Sequence, residues 1–123
     1  MNINILTFKD PICYLSAVLN FKSIQNQKYS LRAFSRDLNI PLSMLSSMLS
    51  EKRPISYQYA NKIANRLKFS SIEFQYFFDL ITVKYGNDTE IKENSKLRIE
   101  RLLKTLNDNQ YDHSYSGLDL TYE

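Results

Sequence analysis

Apolar residues in this chain recur mostly at three- and four-residue spacing, the period of helices that bury one side. Ile12, Leu15, Val18 and Leu19 form the first stripe, behind Asp10 as N-cap and Pro11 at the first helical position. This predicts a helix to about Asn26, with Cys13 beside the stripe as a small core residue. Ala33, Phe34 and Leu38 predict a second helix, capped by Ser30. Leu45, Met48 and Leu49 predict a third, about Leu42 to Ser50. Ser56 caps a fourth, with Ala60, Ile63, Ala64 and Leu67 inward. Ser70-Ser71-Ile72-Glu73 is a capping box that opens a fifth, ended by Gly86. Asn87-Asp88 starts a sixth helix that reaches about Leu106. The chain is therefore expected to be all-α. A lead-in of residues 1–9 precedes a compact domain at 10–86, and a C-terminal helix (87–106) and an acidic tail (107–123) follow it.

The stretch Ser30 to Ser56, SLRAFSRDLNIPLSMLSSMLSEKRPIS, organises the rest. Asn39 falls where the second helix must stop, and Asn tolerates the left-handed backbone that helix ends often need. Pro41 cannot continue that helix but suits the first turn of the next. Ile40 is the apolar residue inside the turn. Helices this short and this tightly joined must cross at a large angle, the helix-turn-helix arrangement.

Charge sharpens the picture. Residues Asn20 to Ser70 carry nine basic and two acidic side chains, whereas Phe69 onward carries six basic and ten acidic. The positive charge thus sits on the segment holding the two short helices, as a phosphate-binding face requires. A merely solvated helical surface is the alternative. The single cysteine allows no internal disulfide and fits a reducing cytoplasm. The N-terminus lacks the cationic start and apolar run of a signal peptide. No run approaches the ~18 apolar residues of a membrane span.

Phe34 to Arg53 resembles the phage-repressor (Cro-like) family of bacterial DNA-binding domains. It is closer still to a bacterial family carrying such a module at the N-terminus of a longer regulator. The resemblance covers roughly Asp10 to Tyr85. Phe34 and Ser35 match the apolar and small residues that open the family motif, and Leu38-Asn39-Ile40-Pro41 matches its Leu-Gly-Val-Ser turn. Leu45 and Met48 match the buried pair of the recognition helix, and Lys52 and Arg53 its basic exit loop. Asn39 replaces a Gly. Leu42 replaces a common Gln, which removes a base-reading side chain. The resemblance implies a compact five-helix domain that binds double-stranded DNA as a homodimer and regulates transcription.

With Leu45, Met48 and Leu49 inward, the third helix is left to present Leu42, Ser43, Met44, Ser46, Ser47 and Ser50. No Arg, Gln or Asn is among them, so no bidentate contact to a guanine or adenine edge is available. Leu42, Ser43, Met44, Ser46 and Ser47 are the candidates for the bases, through hydroxyl bonds and thymine methyl contacts. Arg32, Arg36, Ser50, Lys52 and Arg53 are the candidates for phosphates. Specificity would then lean on DNA shape. A second reading takes exposed Leu42 and Met44 as a protein interface, making the chain an antitoxin-like or co-regulator module. Helix five, rich in Phe and Tyr, is either the central core helix or a dimer face.

Enzyme chemistry finds no footing. There is no defensible paired-carboxylate site, Cys/His constellation, Gly-rich phosphate loop or metal-ligand spacing, so no cofactor or metal is expected. The lone histidine, His113, carries no such signal. The tail invites three readings: disorder, an acidic arm competing for the basic face, or the stub of a longer regulator.

Overall fold

The computed structural model describes residues 3–116, with side chains described from 3 to 108. Among these residues there are six α-helices and no strand. They are α1 (Pro11–Gln25), α2 (Leu31–Leu38), α3 (Leu42–Leu49), α4 (Tyr57–Arg66), α5 (Ser71–Tyr85) and α6 (Thr89–Ser116). None is long and apolar enough to cross a membrane.

The starts of the helices follow their caps. Asp10 Oδ1 accepts the Ile12 amide at 2.9 Å, ahead of Pro11. Ser30 and Ser56 cap α2 and α4. Ser70 and Glu73 form the reciprocal capping box at α5, each side chain satisfying the other's orphan amide.

The core is continuous through α1 to α5. Leu15, Val18, Phe34, Leu38, Leu45, Met48, Ile63 and Phe77 are all fully buried within it. Cys13 departs from expectation: it is exposed. Tyr14, one position on, is the buried residue instead. Its ring meets Phe8 edge-on at 5.4 Å and lies 5.9 Å from Phe69. The lead-in is folded onto the domain. Ile5–Thr7 forms a 3-10 turn, Ile5 is fully buried, and the Tyr76 hydroxyl donates to the Phe8 carbonyl at 2.5 Å. An apolar run this short carries no periodicity of its own, so only its landing place reveals its role.

α5 is the central helix. Tyr76, Phe77, Leu80 and Ile81 are buried, as are Asp79 and Thr82 on another side. The link at residues 86–88 is short, so α6 returns antiparallel beside α5. Gly86 abuts Lys92, and Asp79 meets Arg98, a pairing that keeps the same register. Ile99, Leu102 and Leu103 close over the core from α6. This cover accounts for much of the apolar surface that made α5 look like an interface. α6 runs to Ser116, ten residues beyond the predicted end at Leu106. By the same register it extends past the first turn of α5 by roughly 15 Å, at 1.5 Å per residue. The readings placed on residues 117–123, and on the side chain of His113, lie outside the described residues.

Two polar clusters pin α5 in place. At one, buried Asp79 accepts from Arg98 at 2.9 Å and from Gln75, and Ser95 accepts from the same guanidinium. At the other, Lys84 reaches Asp10 at 3.0 Å and Glu51 at 2.7 Å. One ammonium thereby ties the end of α5 to the cap of α1 and to the exit of α3. Burial opposes the charge of Asp10, but its bonds from Lys84 and the Ile12 amide hold its pKa below the usual 3.8. Burial likewise opposes the charge of Lys84, and the bonds to Glu51 and Asp10 outweigh it, raising its pKa above 10.5.

Two outcomes follow. Asp10 is depressed, so its contribution is present above pH 3.8 and is lost as pH falls through its lowered value. Lys84 is raised, so its share is complete below pH 10.5 and lost as pH rises through the raised value. Lys84→Met should cost about 1 kcal/mol at neutral pH, the partners being partly exposed, and should flatten both the acid and alkaline limbs. Urea melts across pH check this. Arg98→Met should cost about 1–2 kcal/mol, because Asp79 stays buried and loses its cation, while the half-exposed arginine tempers the loss. Lys96→Met, in an exposed pair, should stay within about 0.5 kcal/mol in the same melts.

Candidate nucleic-acid interface

α2 and α3 are eight residues each, joined by three residues. The first helix stops because Asn39 turns left-handed, with φ 58°. Its amide donates to the Arg36 carbonyl and the next, Ile40, to the Ser35 carbonyl at 3.0 Å. The last turn is thus satisfied without glycine. Ile40 is buried and anchors the turn from below. Pro41 serves as the N-cap of α3 rather than its first helical residue. Its ring fixes φ at −54° and leaves Leu42 to start the helix.

Leu45 and Met48 point fully inward. At about 100° per residue, the face opposite them carries Ser43, Ser46, Ser47 and Ser50. Ser43, Ser46 and Ser50 are exposed and Ser47 is half-buried. Leu42 and Met44, expected outward, lie on the two flanks and are half-buried, with Met44 packed against the core. A flank position lets the apolar side chain fold back toward Leu45 and Met48. The outward surface is therefore a serine face, and more polar than the sequence pattern suggested.

The exit from α3 is a second left-handed turn, with Glu51 at φ 63°. The Lys52 and Arg53 amides both donate to the Ser47 carbonyl, at 2.9 and 3.2 Å. The Ser50 hydroxyl donates to the same carbonyl at 3.3 Å. Ser47 is thus the hinge point of the loop. Ile55, buried at the far end, and the Lys84–Glu51 pair hold the loop down. Lys52 and Arg53 are left exposed at its apex. Arg32 and Arg36 are one helical turn apart on α2, and both are exposed. None of these four cations belongs to an ion pair among the described residues.

Lys62 and Arg66 of α4 are both turned onto α2. Lys62 Nζ donates to the Asn39 carbonyl at 3.2 Å, and Arg66 Nε to the Asp37 carbonyl at 2.6 Å. Two cations of α4 therefore sit on the carbonyl end of α2, where the helix dipole favours positive charge. The Asp37 carboxylate accepts the Tyr29 hydroxyl at 2.5 Å. Burial and that carboxylate push the Tyr29 hydroxyl well above its usual 10. These attachments fix α2 from the side and below. No sequence motif marks them, since each joins residues far apart in the chain except Tyr29–Asp37.

No protein-family model, curated protein or solved structure matches the chain.

The turn generates its own test. Asn39→Gly should leave stability within about 0.5 kcal/mol, since glycine enters the left-handed region freely. Asn39→Val should cost about 1–2 kcal/mol, because a β-branched residue resists that conformation. Thermal melts of the two variants against the parent chain read the difference.

Proposed function

We propose that this chain binds double-stranded DNA through a Cro-like helix-turn-helix and acts as a homodimeric transcriptional regulator. The observation that carries the reading is one arrangement: an outward serine face on α3, with exposed Arg32 and Arg36 on α2 and exposed Lys52 and Arg53 at the exit loop. α3 would be the recognition helix, presenting Ser43, Ser46 and Ser47 to base edges in the major groove. Leu42 and Met44 would meet thymine methyls or sugars from the flanks. Arg32, Arg36, Ser50, Lys52 and Arg53 would hold phosphates and set the docking angle. Short hydroxyls discriminate bases weakly, so the shape and deformability of the site would carry much of the specificity. Two copies would place their α3 helices in successive major grooves, roughly 34 Å apart.

The alternative, an antitoxin-like or co-regulator module, relied on exposed Leu42 and Met44 and on the aromatic surface of α5. The first two are half-buried, and α6 covers part of the third. The apolar surface that reading has around α3 is that of half-buried Leu42, Met44 and Leu49.

Removing both loop charges, Lys52→Gln with Arg53→Gln, should weaken binding to specific and random duplexes alike. It should also reduce the log–log salt slope by up to ~2. Fluorescence anisotropy over a salt series measures both. An unchanged affinity and slope would remove this face from DNA binding. Sedimentation of the protein–DNA complex gives the stoichiometry, and one copy per operator would end the dimer proposal.

A further inference from the structure

A concave feature lies away from the α3 face, where α1, the end of α4, the start of α5 and the N-terminal turn meet. It is a cleft of about 590 Å³, and Tyr14, Lys22, Arg66, Lys68, Phe69 and Glu73 are among its lining residues. A second hollow of about 360 Å³ shares Lys22, Arg66 and Lys68 with it, so the two adjoin. This is the size range of small-molecule sites.

The chemistry is specific. Three cations line the two hollows, and none belongs to an ion pair among the described residues. The two carboxylates beside them are already engaged: Asp37 accepts the Tyr29 hydroxyl, and Glu73 accepts the Ser70 amide. One positive charge is left without a counterpart. Lys22 Nζ stands 5.5 Å from the centre of the Tyr29 ring, a contact that leaves its charge intact. Arg66 gives its Nε to a carbonyl, and its terminal nitrogens hold no carboxylate. Half-buried Phe69 supplies an aromatic surface, backed by buried Tyr14 with 5.9 Å between ring centres. Burial, with the charge of Glu73, pushes the Tyr14 hydroxyl up to about 12, so it stays a neutral O–H group.

Lys68 adds a separate argument. It has φ 61°, in the left-handed region, just past the end of α4. The Phe69 amide closes that end on the Ala64 carbonyl at 2.9 Å. Glycine would fill this position without strain, whereas lysine costs about 1 kcal/mol. The strained residue is also one whose side chain brings charge to the cleft, and strain of this kind points to a use.

We propose that this cleft binds a small aromatic carboxylate, with its ring against Phe69 and its acid group between Lys22 and Lys68. The proposal does not rest on DNA binding. Because Arg66 also grips the end of α2, an occupant would touch the residue that fixes the neighbour of α3.

Indole-3-acetate is a suitable probe, with tryptamine as the same ring bearing the opposite charge and inorganic phosphate as a bare anion. Titration into the ¹⁵N-labelled full chain should give saturable shifts at the amides of Lys22 and of residues 66–69, with a dissociation constant at or below about 1 mM. Tryptamine and phosphate should leave these amides unmoved. Lys22→Gln with Lys68→Gln should weaken binding about tenfold or more. The circular dichroism spectrum of that variant should be unchanged, since neither lysine holds an ion pair. Lack of saturation would overturn the proposal, as would equal response to phosphate or unaltered binding by the double variant. If a DNA duplex shifts the same amides and displaces the probe, these cations belong to the nucleic-acid surface and the small-molecule site is refuted.

Discussion

Eight residues are too few for a helix to stand alone in water, where even good sequences need about 12–15. α2 and α3 are both that short. They persist because each drives two side chains fully into the core, Phe34 and Leu38 from one, Leu45 and Met48 from the other. Everything behind them serves that burial. α1 and α5 supply the apolar floor, α4 closes the side, and α6 covers the back of α5. The outward surface of α3 is free to be small and polar because the inward surface alone pays for its fold.

The polar attachments refine what the core fixes coarsely. Hydrophobic burial is non-directional, so it places a helix without dictating its last turn. Direction comes from a few bonds with defined geometry. Lys84 joins the start of α1 to the exit of α3, Asp79 binds α6 through Arg98, and Lys62 and Arg66 hold the end of α2. The Lys84–Asp10 and Asp79–Arg98 bonds are partly shielded from water, where they keep more of their strength, whereas those of Lys62 and Arg66 lie on the open surface.

Much of this was legible in the sequence, and the reason is locality. Asp10-Pro11, Ser30, Ser56 and the Ser70–Glu73 box act within one helical turn, so the residues alone give the helix starts. Asn39 before Pro41 gave the turn for the same reason. The all-helical class and the Leu45–Met48 anchor came from periodicity. What escaped was long-range. Nothing near Ile5 says that it will be buried under α5. Cys13 and Tyr14 are neighbours at the edge of one stripe, and packing against Phe8 and Phe69 chose the tyrosine. The flanks of α3 were misjudged because a wheel assigns direction but not the reach of a flexible methionine. Lys62, Arg66 and Lys84 read as surface charges until their partners, dozens of residues away, are in place. The cleft at Lys22 and Lys68 joins α1 to the end of α4, and no local pattern could assemble it.

The hold of α4 on α2 has one more implication. Arg66 grips Asp37 by its main-chain carbonyl, while Tyr29 grips the same residue by its carboxylate. A carbonyl is present whatever side chain stands at that position. The two fastenings are therefore independent, one blind to residue identity and one dependent on it. Replacement of Asp37 would release the tyrosine and leave the arginine in place. Freedom to vary at the exposed end of α2 thus goes with a fixed requirement on α4, and the alignment of α2 beside α3 rests on a helix outside that pair.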